Sequence, residues 1–234
     1  YADPIVFLFI GGFILAACVE RWRLHERIAL SIASVAGGRP AMLVAGFMLA
    51  SMLISMWISN TATTLMLAPI AIGAARAMSG SDKPDLALGG ALTLGVAHAA
   101  TIGGIGTPVG TPTNLIGIAF FERAGEPIAF IDWMSRAIPI MLLMMPVAWL
   151  LLCWPLFGKK HARSNAIGAI VRDALNALGP ISRPEVRIGI VFALTALAWM
   201  FRVQLAELPG LGALTDTGVA IVGALLLFFV PSGR

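Results

Sequence analysis

Charged side chains divide the sequence into six uncharged stretches, 4–19, 40–75, 86–121, 137–158, 188–201 and 217–233. An α-helix rises about 1.5 Å per residue, so a hydrocarbon core of about 30 Å takes about 20 helical residues, fewer where flanking charges snorkel outward. Four stretches each suit one crossing, 188–201 only if Arg187 and Arg202 reach away from the membrane centre. The two stretches of 36 residues, 40–75 and 86–121, are too long for one straight span and too short for two with a turn. Both contain a break. In the first, Ser59-Asn60-Thr61 separates an apolar arm, Met42 to Ile58, from another, Leu65 to Ala75. In the second, the run from Gly103 to Asn114 holds four glycines and two prolines in twelve residues, which cannot sustain a regular helix. Non-helical backbone at membrane depth survives only where it lines a cavity or is buried in protein. Two such breaks in neighbouring segments predict one binding site made by broken helices.

Composition sets the class. The chain is 59% hydrophobic and 12% charged, against roughly 45–50% and about 25% in soluble domains. That leaves too little polar surface for a soluble enzyme, and disorder is excluded with it. The fold class is an all-α polytopic membrane protein. Cys18 and Cys153 both lie in apolar stretches and read as packing residues. The chain begins at Tyr1 and reads as a piece of a longer polypeptide.

Basic residues then orient the chain. If 40–75 enters and leaves on one side while 86–121 crosses once, one side collects Arg21, Arg23, Arg27, Arg39, Arg76, Lys83, Lys159, Lys160, Arg163, Arg172, Arg183 and Arg187. The other holds Arg123, Arg136 and Arg202. Twelve against three is a strong positive-inside bias, so 40–75 is expected to be a re-entrant hairpin opening to the cytoplasm. The net charge of +4 follows from these loops and implies no nucleic-acid partner. Residues 21–35 read as a helix lying on the bilayer, with Leu24, Ile28, Ile32 and Val35 on one face and Arg23, Arg27, Ser31 and Ser34 on another. A second such helix spans about 166–178, with Ile167, Ile170, Val171, Ala174 and Leu178 on one side, and Gly179-Pro180 stops it. Trp22, Trp133 and Trp154 fall near the expected interfaces. The organisation is therefore a scaffold-type span with an interfacial helix over 1–39, the hairpin over 40–78, the broken span over 86–121 and a further span over 137–158. A basic cytoplasmic arm follows over 159–187, then truncated spans over 188–234.

The breaks carry the chemistry. The first offers Ser55, Ser59, Asn60, Thr61, Thr63 and Thr64. A hairpin tip presents unpaired carbonyls at the end of one arm, suited to a small cation, and unpaired N–H groups at the start of the other, suited to an anion. Ser59 and Asn60 also suit a plain N-cap. The second break fails as a phosphate loop, because Val109 stands where G-x-G-x-x-G needs its last glycine. Its carbonyls and the oxygens of Thr107, Thr111 and Asn114 instead suit a hard cation such as sodium. Neither broken segment contains Asp, Glu, Lys or Arg, and the lone titratable group is His98, read as a packing or hydrogen-bonding residue. An uncharged site favours sodium over proton coupling.

Met56-Trp57-Ile58-Ser59-Asn60-Thr61-Ala62-Thr63-Thr64, with Pro69-Ile70 beyond, resembles the first Ser-Asn-Thr signature of the divalent-anion/sodium symporter family. The run Ala100 to Asn114 resembles that family's following helix break, and Gly11-Gly12-Phe13 with Glu20-Arg21-Trp22 is similar to an earlier segment. The resemblance implies a secondary active transporter, not an enzyme, that carries dicarboxylates such as succinate, malate or fumarate with sodium. It implies two inverted repeats, elevator-like motion, a homodimer and residence in the bacterial inner membrane. It assigns Ser55, Ser59, Asn60 and Gly106 to a sodium site and Ser59, Asn60 and Thr61 to the substrate, with Gly103, Thr107, Thr111, Pro112 and Asn114 as further candidates. This chain holds one Ser-Asn-Thr only, so the partner half of the site belongs to a second repeat absent here. A related citrate, sulfate or arsenite transporter, a proton-coupled or exchange mechanism, an intramembrane enzyme and a non-transporting scaffold are the alternatives. The enzyme lacks support, with no H-E-x-x-H and no carboxylate dyad.

Overall fold

Every regular element among the described residues, 4–34, 39–79, 85–157 and 166–229 of a computed structural model, is helical. The order is α1 (Pro4–Arg21), α2 (Leu24–Ser34), α3 (Pro40–Ser55), α4 (Asn60–Ser79), α5 (Leu86–Gly104), α6 (Pro112–Arg123) and α7 (Phe130–Cys153). A short 3-10 turn (Trp154–Leu156) precedes α8 (Ala166–Ala177), α9 (Arg183–Met200), α10 (Arg202–Ala206) and α11 (Asp216–Phe229). The starts follow from local chemistry. Pro40, Pro112 and Pro184 stand in the first helical turn, where no N–H is needed. Asp85 caps α5 by accepting from the N–H groups of Ala87 (2.9 Å) and Leu88 (3.2 Å), and Ser182 with Glu185 forms a capping box on α9. Gly179, at φ +72°, ends α8 just before Pro180, as the sequence predicts.

Three helical segments, Pro4–Arg21, Leu86–Gly104 and Phe130–Leu156, are long and apolar enough to cross a bilayer; α3 and α11 are apolar but shorter. The expected crossing at 188–201 is not among the three, because α9 starts at Arg183 and carries Arg183, Glu185 and Arg187 in its first five residues. Apolar burial gives little drive in lipid, so close packing does the holding. Helix α5 is the central pillar, with α3, α4 and α7 along it, α2 on α3, and α8 on α4 and α2. Leu43, Val44, Phe47, Met48, Leu67, Leu88, Leu92 and Val96 are fully enclosed there. A second group has α11 against α1 and α9, close enough that a Cβ on Gly11 would lie 2.7 Å from that of Ala220.

At the α1–α2 kink Arg23 takes φ +56° and pairs with Glu26 at 2.6 Å. Helix α2 buries His25, Ala29, Leu30 and Ala33 in the protein, while Leu24 and Ile32 of the face read as lying on the bilayer are partly buried. Small alanines let it approach α3, and Ile28 is left outward. Val35 lies outside the described residues. Arg27, expected on a solvated face, instead donates to the Gly179 carbonyl (3.0 Å) and reaches the buried Glu185 (3.4 Å).

Candidate functional site

Helix α3 ends at Ser55, three residues before the predicted end of the first arm at Ile58, and Met56–Ser59 form the connection to α4. The Met56 N–H still donates to the Met52 carbonyl (3.2 Å), while Trp57 and Ile58 both donate to Ile54 (3.0 and 3.1 Å). Ser59 is the N-cap of α4: its hydroxyl accepts from the Ala62 N–H at 3.2 Å and its carbonyl from Thr63 at 3.0 Å. Asn60 does not cap. Its Oδ1 turns back and accepts a hydrogen bond from the Ser55 hydroxyl at 2.7 Å. Thr61 is exposed on the first turn, and Thr64 bonds back to the Asn60 carbonyl at 2.8 Å. Thr63 is fully buried, and its hydroxyl has no hydrogen-bond partner among the described residues.

The second break is shorter than its composition suggests. Gly103 and Gly104 stay in α5, Pro112, Thr113 and Asn114 open α6, and only 105–111 leave the helix. Helical glycine is tolerated here because its missing Cβ permits contact: a Cβ on Gly103 would fall 2.1 Å from the Met52 carbonyl oxygen, and one on Gly104 2.3 Å from Asn60 Oδ1. Asn114 donates from Nδ2 to the carbonyls of Gly104 (2.7 Å) and Thr107 (2.8 Å), closing the loop on itself. The Thr107 hydroxyl donates to the Met56 carbonyl in the other break and accepts from the Gly110 N–H (3.1 Å). Trp133, read from sequence as an interfacial residue, donates from its indole to the Ile105 carbonyl at 2.9 Å.

The two breaks thus touch. Ser55, Asn60, Gly103, Gly104, Thr107, Gly110 and Asn114 converge, joined by hydrogen bonds or by contacts that a Cβ would fill. Ser59 borders this cluster as a cap. Thr61, Pro112 and Thr113 are exposed, and Thr111 is half-buried as the α6 N-cap residue without a side-chain cap bond. Gly106 is buried, with its N–H committed to the Gly103 carbonyl at 2.8 Å. The Met56 carbonyl and the Trp133 indole are parts the sequence reading missed, since a backbone oxygen and a distant tryptophan leave no local motif. The cluster contains hydroxyl, amide and carbonyl oxygens and no ionised group, and no set of three His, Cys, Asp or Glu side chains able to hold a metal occurs among the described residues. Neutral oxygens at a helix end suit a monovalent hard cation.

His98 is exposed, not packed, and its Nδ1 lies 2.8 Å from the Leu94 carbonyl of its own helix. It lines an apolar groove of about 640 Å³ between α5 and α7 that ends on Thr101 and Ile102, directly before the break. The more polar cavity, about 690 Å³, has Glu122, Asp132, Arg202 and Asp216 in its wall and is lined by none of the break residues 56–59 and 105–111.

The description "Sodium:sulfate symporter transmembrane region" matches residues 1–231. The chain belongs to the sodium:sulfate symporter family. It is therefore an integral membrane protein of a transporter family. The chain is 34% identical over 242 residues to the sodium-dependent dicarboxylate transporter SdcS of Staphylococcus saprophyticus, covering 99% of this chain and 46% of that protein. It is 34% identical over 257 residues to the sodium-dependent high-affinity dicarboxylate transporter 3 of Caenorhabditis elegans, covering 100% and 45%. The Staphylococcus aureus SdcS is 31% identical over 240 residues, covering 99% and 46%. The chain thus spans slightly under half the length of these relatives.

Proposed function

We propose that this chain supplies one sodium site and half of the anion site of a sodium-coupled dicarboxylate symporter. The observation that carries the reading is the meeting of the two breaks, with Asn60 Oδ1 held by Ser55 at 2.7 Å directly against Gly104. Sodium sheds water for the neutral oxygens of Ser55, Ser59 and Asn60 and for the carbonyl of Gly106. The ion orients Asn60, and the α4 N-terminus, with Asn60 and Thr61, receives one carboxylate of succinate, malate or fumarate. Binding of the cation thereby prepares the anion half-site, and this coupling links the two fluxes. Gly103, Thr107, Thr111, Pro112 and Asn114 hold the second break in place around it.

The second carboxylate is met by a corresponding Ser-Asn-Thr tip in the remainder of the polypeptide, an inverted repeat. In this reading α3 and α4 form a re-entrant hairpin opening to the cytoplasm, the basic loops are cytoplasmic, the membrane is the bacterial inner membrane, and two copies form a dimer. Support comes from the relatives' names and from the twelve-to-three distribution of basic residues. The family description names sulfate, so sulfate is the competing substrate. The test is radiolabelled succinate uptake into proteoliposomes by the full-length protein. Uptake with sodium, lost on replacement by choline and competed by fumarate but not sulfate, is expected. Equal uptake in choline, or full competition by sulfate, contradicts the reading.

A further inference from the structure

The connection between α3 and α4 holds one large side chain that the proposed site does not use. Trp57 lies stacked at 6.3 Å and 17° on Phe130, at 6.5 Å and 13° on Trp199, and edge-on at 5.3 Å and 82° to Phe192. Phe130 and Trp199 are parallel within 6° at 4.6 Å, and both are almost fully buried. These rings come from the start of α7 and from α9, not from α5, on which the hairpin arms pack. Asp216 fixes the platform twice: its carboxylate accepts from the Phe130 N–H (3.0 Å) and its carbonyl from the Trp199 indole (2.9 Å). Arg202 holds the same carboxylate at 2.9 Å.

The tip is therefore gripped from two independent directions. Thr107 holds the Met56 carbonyl next to Trp57 in sequence, and the aromatic platform holds the Trp57 ring. Ser59 and Asn60 follow two and three residues later, with no other large side chain between them except Ile58. Four backbone units cannot vary independently between such anchors, so the ring's seat sets where the oxygens of the tip converge. We propose that Trp57 is a positioning residue for cation binding, seating the hairpin tip on the Phe130–Trp199–Phe192 platform so that the Ser55–Asn60 pair meets the second break in binding geometry.

The inference rests on the sodium site proposed above, and the experiment separates the two. Sodium-dependent thermal stabilisation of the full-length protein is titrated with sodium chloride at constant ionic strength in choline, alongside the succinate KM at saturating sodium. Wild type must show a saturable sodium effect; its absence removes the sodium site itself and the role of Trp57 with it. Given that effect, Trp57→Leu raises the half-saturating sodium concentration by roughly 2- to 12-fold, the worth of an aromatic contact converted at about 1.4 kcal/mol per decade. The succinate KM at saturating sodium stays within about twofold, and Trp57→Phe, which can still stack, recovers most of the sodium affinity. A role in packing alone lowers the melting temperature without moving the sodium midpoint, and that outcome overturns the proposal, as does an equal rise in both constants. If Trp57→Leu does not fold, Phe192→Leu, at a half-buried ring perpendicular to Trp57, decides: a raised sodium midpoint supports the proposal and an unchanged one overturns it.

Discussion

Adjacent glycines in α5 should respond oppositely to the same added methyl group. A Cβ on Gly103 would lie 2.1 Å from the Met52 carbonyl oxygen and 2.7 Å from its Cα, so the obstacle is the backbone of α3. Neither helix can yield without parting α3 from α5, and overpacking of this kind costs about 1–3 kcal/mol or more. A Cβ on Gly104 would meet Asn60 Oδ1 at 2.3 Å, the far end of a side chain that can swing aside. Moving it breaks the 2.7 Å Ser55–Asn60 bond, at a cost of about 0.5–1.5 kcal/mol. The helix recovers up to about 1 kcal/mol, because alanine is the better helix former at the end of α5. Gly104→Ala should thus leave the melting temperature without sodium nearly unchanged, while the oxygen ligand is displaced by about 1 Å and sodium affinity falls at least about tenfold. Gly103→Ala should lower the melting temperature, or the yield of folded protein, in any salt. The assay is differential scanning fluorimetry of the full-length protein in detergent across a sodium titration. An unaltered sodium midpoint in Gly104→Ala would refute the reasoning, as would a Gly103→Ala protein of wild-type stability.

Three further outcomes follow from single contacts. Thr107→Val removes the link from one break to the other and leaves the Met56 carbonyl without that donor, so stability should fall by about 1–3 kcal/mol in chemical denaturation and sodium affinity with it. Thr63→Val replaces a buried hydroxyl that has no partner among the described residues by an isosteric methyl, so the melting temperature should hold or rise, with sodium dependence intact; loss of sodium dependence would make Thr63 a ligand. Burial pushes His25 below its ordinary 6.5, so the unfolded chain takes up its proton first as pH falls. Stability is then full above about pH 6.5 and declines below it, and His25→Gln should flatten that decline in melting temperature measured against pH.

Helix identity was legible because it depends on where charge is absent, and charge at Glu20, Arg39, Arg76, Asp85 and Arg123 bounds the helices closely. The positions of the breaks were less legible. Ser59-Asn60-Thr61 reads as an interruption, yet only Ser59 is outside the helix, since a cap residue belongs to the turn it starts. Gly103-Gly104 read as helix-breaking, yet they are helical because tertiary contact with Met52 and Asn60 overrides propensity. On α2 the pattern of large apolar residues marks a bilayer-facing side and does not reveal the side that packs in the protein, which is built from His25, Ala29, Leu30 and Ala33. That the two breaks meet was inferable from there being two of them in neighbouring segments. Their actual joints, the Met56 carbonyl and the Trp133 indole, are carried by a backbone atom and by a residue 28 positions from its partner, which no local pattern encodes.

The central claim is that Asn60, held between Ser55 and Gly104, binds the cation that drives transport. It is tested most directly by Asn60→Ala in the full-length protein, reconstituted and compared with wild type for radiolabelled succinate uptake over a sodium titration. Asn60 carries no capping bond, since Ser59 fills that role, so the variant should fold and reconstitute at wild-type levels. Uptake should nevertheless fall sharply, and the remaining flux should lose its dependence on sodium. Wild-type uptake with an unchanged sodium midpoint in Asn60→Ala would contradict the account.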